Sequence, residues 1–400
     1  MPRSTRNVPL ITLFLVLFTV SVGFGLVIPI LPLLAREFGA SAFLLGLMTA
    51  SYAVVQFLFA PIWGQVSDRV GRKKVLMIGI TGLAFSFLLM GFAKSYWMLF
   101  TARVLGGFLS SATLPAAQAM AAELSGTKNR AKAMGLMGAA FGTGFIFGPL
   151  IGGVLTPLGF SVPFITGGVM GLATVALSAW ALREPPRSKG DQDPDQQEAP
   201  RSTLEGLRQA LAGSGRPYYL LAFLIMFAQS NQMTSLAYLL TDRFGSDVSM
   251  IGVVFALNGA VGALLQGAAI GPITDRLGEK TTLLAGLALG ALAYAGIVLA
   301  PTLGLAVFCI VLTAVAMAFT RPPATSLLSK VTELPQGITM GLQSSFDSLG
   351  RVIGPLWAGF AYDLHLSLPF VTGAVTFFVA WMYMRTQQPV VVDLEASTAE

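Results

Sequence analysis

The chain has 400 residues, of which 54% are hydrophobic and only 11% are charged. A soluble chain of this length carries roughly a quarter charged residues, so a soluble globular domain, a disordered chain and a nucleic-acid binder are excluded. One cysteine, Cys309, forbids an internal disulfide, and one histidine, His365, leaves no His/Cys set for a metal, so neither metal nor cofactor is expected.

A helix needs about 20 apolar residues to cross a bilayer. Twelve stretches qualify: 9–34, 44–66, 75–93, 97–122, 133–156, 161–182, 217–240, 249–273, 281–300, 302–328, 337–361 and 366–384. The first is too long for a signal peptide, lacks a small-residue cleavage site and leads straight into further spans. Lys and Arg in the connections set the direction of insertion. The N-terminus, the even-numbered connections and the tail hold 19 of them, against 3 in the odd-numbered connections, namely Arg36, Lys94 and Arg243. A multi-pass protein of the cell membrane follows, embedded in the lipid bilayer with both termini cytoplasmic. Tyr96–Trp97, Tyr218–Tyr219 and Trp381–Tyr383 stand near span ends, as interfacial anchors do.

The connection 183–216 is rich in Pro, Asp, Gln, Arg and Ser and reads as a solvated cytoplasmic linker. It divides the chain into an N-terminal six-helix bundle, 1–182, and a C-terminal one, 217–400. Around Leu204–Leu211 two readings stay open: a short amphipathic helix on the membrane surface, or disordered linker.

The halves resemble each other at a shift of 206–207 residues. Gly64-Gln-Val-Ser-Asp68-Arg69-Val-Gly71-Arg72-Lys73 stands between spans 2 and 3, and Gly271-Pro-Ile-Thr-Asp275-Arg276-Leu-Gly278-Glu279-Lys280 between spans 8 and 9. Span 5 carries Gly144-x3-Gly148-Pro149-x2-Gly152-Gly153, and span 11 carries Gly350-x3-Gly354-Pro355-x2-Ala358-Gly359. Matches at nearly one offset in both places mark an internal repeat, and two related bundles put a pathway between them.

At these residues the chain resembles the major facilitator superfamily, and more narrowly its twelve-span drug:proton antiporters. The loop Gly64…Asp68-Arg69…Gly71-Arg72-Lys73 is similar to the superfamily's signature loop. Arg103-Val-Leu-Gly106-Gly107 in span 4 resembles the motif assigned to proton coupling. Gly144, Gly148, Pro149, Gly152 and Gly153 resemble the motif that marks the antiporter branch. Bacterial quinolone and multidrug efflux pumps of this branch have stretches similar to Gly25-Leu-Val-Ile-Pro-Ile-Leu-Pro32 and to Gly341-Leu-Gln-Ser-Ser-Phe…Ile353-Gly354-Pro355. The resemblance implies membrane carboxylates in spans 7 and 10; this chain has Ser230-Asn231-Gln232 and Ala318-Phe319-Thr320 there instead. It also implies that spans 1, 4, 7 and 10 line the cavity.

Charges inside a bilayer are expensive and point to function. Arg103, Arg321, Asp347 and Arg351 stand well inside spans, with Glu123 near the cytoplasmic end of span 4. Asp347 is the only carboxylate near the middle of any span. Burial opposes its charge, and Arg351 four residues on supports it, so it is either poised to exchange protons or locked in a static pair. Arg321 precedes Pro322-Pro323, which free backbone carbonyls. It either meets an anionic group or braces the broken helix. Proton coupling is expected of Asp347, Arg351, Asp68 and Glu123, and the motif resemblance implies it for Arg103. Gln118, Phe145, Asn231, Gln232, Met233 and Arg321 are candidates for the substrate cavity.

The repeat makes one geometric forecast. Glu279 takes the place of Arg72, and Lys330 that of Glu123, so the second half reverses both charges. Two pseudo-symmetric ion pairs are expected, each tying a loop to the cytoplasmic end of a neighbouring helix. Asp68 and Asp275 would then be free to meet a helix N-terminus or the opposite half.

The expected fold is all-α, with twelve transmembrane helices in two pseudo-symmetric six-helix bundles. The expected function is proton-coupled export of small amphipathic organic compounds by alternating access, in a monomer that is not an enzyme. A metabolite or sugar carrier, or a lipid flippase, of the same fold is the alternative.

Overall fold

The computed structural model of the protein describes residues 8–184, 208, 212–332 and 334–387. Among the described residues all regular structure is helical: α1 (Val8–Glu37), α2 (Ala42–Val70), α3 (Arg72–Gly91), α4 (Tyr96–Ser110), α5 (Thr113–Leu155), α6 (Ser161–Ala181), α7 (Arg216–Phe244), α8 (Val248–Leu264), α9 (Ile270–Leu277), α10 (Glu279–Leu299), α11 (Leu303–Val331), α12 (Gln336–Leu364) and α13 (Leu368–Thr386). Among the described residues, ten helices are long and apolar enough to cross a membrane. Ser41, Ser95 and Thr302 start α2, α4 and α11 by accepting from the backbone N–H groups of Leu44, Met98 and Leu305. The Leu204–Leu211 segment lies outside the described residues apart from Arg208.

Two expected spans read differently in three dimensions. The stretch 97–122 is interrupted, because α4 ends at Ser110 and α5 begins at Thr113. The stretch 337–361 is helical throughout, as α12, but Asp347, Arg351 and its glutamines make it too polar to count as an apolar span.

The 43 residues of α5 form one helical run that covers the end of expected span 4, its connection and span 5. It is not one straight rod. A Cβ at Gly82 would strike Leu109, and one at Gly79 would lie 2.9 Å from the Thr113 nitrogen, so the chain entering α5 runs antiparallel to α3. Further on, Gly144 packs on Phe18 and Gly148 on Val22 and Gly25, so the end of α5 runs parallel to α1. Leu13–Leu17 share a core cluster with Val75–Ile80, while Val20–Leu34 share another with Leu83–Met90, so α1 and α3 point the same way. The chain therefore reverses between Ala121 and Met137, as two opposed spans require.

The chain packs as two compact units. The first holds Met1–Ser188, Met233–Ala260 and Pro355–Leu366. In it α1 and α5 are pressed together through glycine: a Cβ at Gly144 would stand 2.7 Å from the Phe18 carbonyl oxygen, and one at Gly148 2.5 Å from that of Val22. Such contacts bring backbones close enough to gain dispersion energy without a hydrophobic driving force, which lipid does not supply.

The second unit holds Lys189–Gln232, Val261–Gly354 and Ser367–Glu400. It repeats the arrangement 205–206 residues later, with Gly350 and Gly354 each set 2.8 Å, as Cβ distances, from the carbonyls of Phe223 and Phe227 on a parallel α7. Antiparallel α10 and α11 meet at Gly286 on Phe319 and at Gly296 on Cys309. Tyr294 is fully buried, stacks on Phe377 at 5.5 Å and donates to the Ala228 carbonyl at 2.9 Å. One π-helical turn, Leu265–Ala269, interrupts the expected eighth span between α8 and α9.

Candidate transport site

The signature loop is a tight corner followed by a capped helix. Gly71 has φ 117°, a left-handed value that suits glycine, and Gly278 takes φ 81° at the matching corner of the second half. A side chain at Gly71 would also collide with the carboxylate of Glu184, which accepts from the backbone N–H groups of Arg72 at 2.5 Å and Lys73 at 3.1 Å. Glu184 thus caps the positive end of α3. Lys73 reaches across to donate to the Ala179 carbonyl at 2.8 Å, while Gly64 faces open space and Arg69 is exposed.

Both forecast ion pairs are present. Arg72 Nε lies 3.0 Å from Glu123 Oε1, and Lys330 Nζ lies 2.8 Å from Glu279 Oε1. Glu279 also accepts from Ser326 Oγ at 2.5 Å. Asp68 departs from expectation. It is not free for a helix N-terminus but pairs with Arg72, one helical turn away, and Glu184 takes the N-terminus instead. Asp275 is exposed.

The mid-span carboxylate has a different partner from the one its spacing offers. Arg321 Nη2 on α11 lies 2.9 Å from Asp347 Oδ2 on α12, while Arg351 is exposed. The i, i+4 spacing brought Arg351 near, but the adjacent helix presents Arg321 face-on. Pro322 and Pro323 do not end α11, which continues to Val331, so Arg321 meets an anion rather than bracing a break. Its side chain is 45% exposed and that of Asp347 only 10%, so the pair shows its cationic side. That side lines a cavity of about 500 Å³, together with Gln266 of the π turn, Thr325, Ser326, Ser329 and Met340.

Arg103 is buried and without an ion pair among the described residues. Its guanidinium lies over the Tyr52 ring, 4.1 Å from the centroid, and its Nε has no hydrogen-bond partner. The Tyr52 hydroxyl is held by Ser110 Oγ at 2.9 Å, and Phe24 packs edge-on at 5.8 Å. The glycines after Arg103 make room for this packing: a Cβ at Gly107 would come 3.2 Å from the Tyr52 ring, and one at Gly106 would strike Ser86.

The remaining candidates divide by burial. Asn231 donates to the Pro369 carbonyl at 2.6 Å and Gln232 to Thr313 Oγ1 at 3.0 Å; both are buried among helices rather than open to a cavity. Gln118 is exposed, Met233 is half-buried, and half-buried Phe145 packs on Phe141 at 5.4 Å. Of the span-5 motif, Gly144, Gly148 and Gly152 seat α1, Gly153 contacts Ser249, and Pro149 touches Gly25 and Gly252. Tyr52, Glu184 and Gln266 carry no motif and emerge only from the packing.

Many apolar helices in two repeats, with ion pairs at loop corners and charges held mid-helix, define an integral membrane transporter rather than an enzyme. The chain belongs to the Major Facilitator Superfamily, whose model matches residues 13–216 and 218–398. It is 33% identical over 378 residues to Multidrug resistance protein 1 of Bacillus subtilis (strain 168), covering 93% of this chain and 94% of that one. It is 31% identical to the class C tetracycline resistance protein of Escherichia coli over 91% of this chain and 93% of that one. Among solved structures it is similar to a bacterial homolog of the human lysosomal transporter Spinster in an inward-facing, occupied conformation. That likeness has 18% identity, a TM-score of 0.80, and covers 96% of this chain and 97% of the other. The likeness to drug-efflux proteins first read from the loop and the span-5 glycines therefore holds along the chain.

Proposed function

We propose that this protein is a drug-efflux antiporter of the cell membrane, exporting small amphipathic organic compounds in exchange for protons by alternating access. The observation that carries the reading is the Arg321–Asp347 pair, whose Arg321 lines the 500 Å³ cavity. It supplies a titratable carboxylate, mostly shielded, beside a space lined by both apolar and polar groups. A proton on Asp347 dissolves the pair, and its loss re-forms it, so proton uptake is tied to the charge of the cavity wall. The names of the relatives, multidrug and tetracycline resistance, favour drug-like cargo. The excess of Lys and Arg in the even-numbered connections favours cytoplasmic termini. Two six-helix bundles, 1–182 and 217–400, rock about a midplane site in a monomer. Growth inhibition by a panel of toxic compounds, in cells with and without the protein, tests the export. Addition of a protected compound to everted vesicles should then collapse a preset proton gradient; protection without proton movement would reject the coupling.

One observation favours a second reading. Arg103, Arg321 and Arg351 outnumber Asp347 inside the helices, which suits a carrier of acidic metabolites better than one of cationic dyes. A panel in which only acidic compounds are exported would select it.

A further inference from the structure

At the end of the first unit away from the signature loop, Arg36 and Asp242 form a two-pronged pair. Nη1 meets Oδ1 at 2.5 Å and Nη2 meets Oδ2 at 2.8 Å. Tyr362 donates to the same carboxylate at 2.7 Å, and the Arg36 guanidinium lies over the Tyr238 ring, 4.3 Å from its centroid. Asp363 accepts from the backbone N–H groups of Ala42 at 3.0 Å and Phe43 at 2.9 Å, so it caps the positive end of α2.

The positions of these residues carry the argument. Arg36 and Asp242 are 206 residues apart, and so are Pro32 and Tyr238, whose carbonyl and hydroxyl bond at 2.9 Å. That separation is the shift of the internal repeat, so each pair joins a residue to its own counterpart. Counterparts in a two-fold repeat touch only near the axis that relates them. Matching contacts flank this one. A Cβ at Gly46 would press on Pro355, and one at its counterpart Gly252 would lie 2.5 Å from the Pro149 carbonyl oxygen. Gly359 packs on Ala42, and its counterpart Gly153 accepts from Ser249 Oγ at 2.9 Å. Like side chains at the axis would gain nothing or repel. The second copy instead carries Asp242 where the first carries Arg36, which turns a self-contact into a charge-assisted bond.

We infer that Arg36, Asp242, Tyr362 and Asp363 form the latch that closes the outer gate, and that release of cargo to the outside requires this cluster to part. A closure at the axis is made and broken by any rocking of the repeats, whereas contacts inside one repeat are not. The inference rests on the alternating-access reading. The glycines and prolines of the span-5 motif and its span-11 copy then act as the smooth bearing beneath the latch, which explains small residues where α2 meets α12 and α8 meets α5.

Spin labels at Lys94→Cys and Gly304→Cys, in a Cys309→Ser background, report outer opening by pulsed dipolar spectroscopy. Arg36→Ala or Asp242→Asn should raise the ratio of outer-open to outer-closed molecules roughly threefold to tenfold, the scale of a partly exposed charged contact. The exchange Arg36→Asp with Asp242→Arg should return most of it, which guards against a merely unfolded variant. If the parent protein shows both populations and neither single variant shifts them, the latch is wrong while alternating access stands. If the parent shows one outer distance with and without a proton gradient and an exported compound, alternating access fails, and the latch with it.

Discussion

Lys330 holds Glu279 at 2.8 Å across the same 51-residue separation at which Arg72 holds Glu123 at 3.0 Å. The two bonds are counterparts, yet their charges are exchanged. In the first half the loop gives the cation and the helix the anion; in the second the roles reverse. What the repeat preserves is a tie between loop corner and helix end, not a residue type. Such ties at partly exposed positions contribute up to about 1 kcal/mol each, enough to bias a gate without freezing it.

Charge reversal tests the ties. Arg72→Glu should slow transport in vesicles several-fold, and adding Glu123→Arg should recover part of the loss. Glu279→Lys with Lys330→Glu should behave alike, though less fully, because Ser326 also donates to Glu279. Absence of recovery in both double variants would reduce these pairs to scattered surface charge.

Asp347→Asn removes the only mid-span carboxylate while keeping its shape. The purified variant should remain folded, because an amide oxygen still accepts from Arg321. Proton-driven uphill transport should be lost, while exchange of labelled for unlabelled compound down no gradient continues. Uphill transport near the parental rate in proteoliposomes would remove Asp347 from the coupling.

The spans, the repeat and the two loop ties were legible in the sequence because each depends on a pattern along the chain: runs of apolar residues, a fixed shift, and the sign of a charge. The partner of Asp347 was not. Arg351 and Arg321 are both near in principle, and only the way α11 faces α12 selects Arg321. Glu184 caps a helix start 112 residues earlier, a contact that no local spacing announces. The break at Ser111–Ala112 and the π turn at Leu265–Ala269 leave the hydropathy unchanged, so periodicity passes over them. Asn231 and Gln232 looked like cavity groups because they are polar in an apolar span; packing turns them inward to Pro369 and Thr313.

Gly148 offers a stability test separate from transport. Its missing side chain lets α5 lie on α1, with Val22 and Gly25 backbone atoms at 2.5–2.9 Å from where a Cβ would stand. Those neighbours are main chain and cannot swing aside. Gly148→Ala should therefore destabilise the protein by about 1–3 kcal/mol, the range for overpacking a tight interface. Gly138, with nothing within 4 Å of its Cβ position, is the control and should tolerate alanine. Thermal unfolding in detergent, followed by fluorescence, compares the two. Equal midpoints would mean that α1 and α5 part more easily than their spacing implies.

Arg103 and Tyr52 give the last prediction. A guanidinium inside a bilayer normally finds a carboxylate, and in the structure Arg103 has the face of an aromatic ring instead, at 4.1 Å. An aromatic face attracts a cation less strongly than an acid does. Ser110 fixes the ring through the Tyr52 hydroxyl, and Gly107 leaves the space for it. Tyr52→Phe keeps the π face and loses only the bond to Ser110, so transport should fall no more than about threefold, in line with one neutral hydrogen bond. Tyr52→Leu removes the face and leaves a buried charge with no partner, so the loss should be about tenfold or more. Arg103→Ala should be as damaging as Tyr52→Leu, and the double variant should be little worse than either, because the two residues act through one contact. Arg103→Lys keeps the charge but not the planar group that stacks, and should fall between. Initial rates of proton-driven transport in proteoliposomes, with all five variants reconstituted at matched density, decide the matter. Equal rates for Tyr52→Phe and Tyr52→Leu would show that the ring face does not hold Arg103, and additive losses in the double variant would show that the two residues serve different steps.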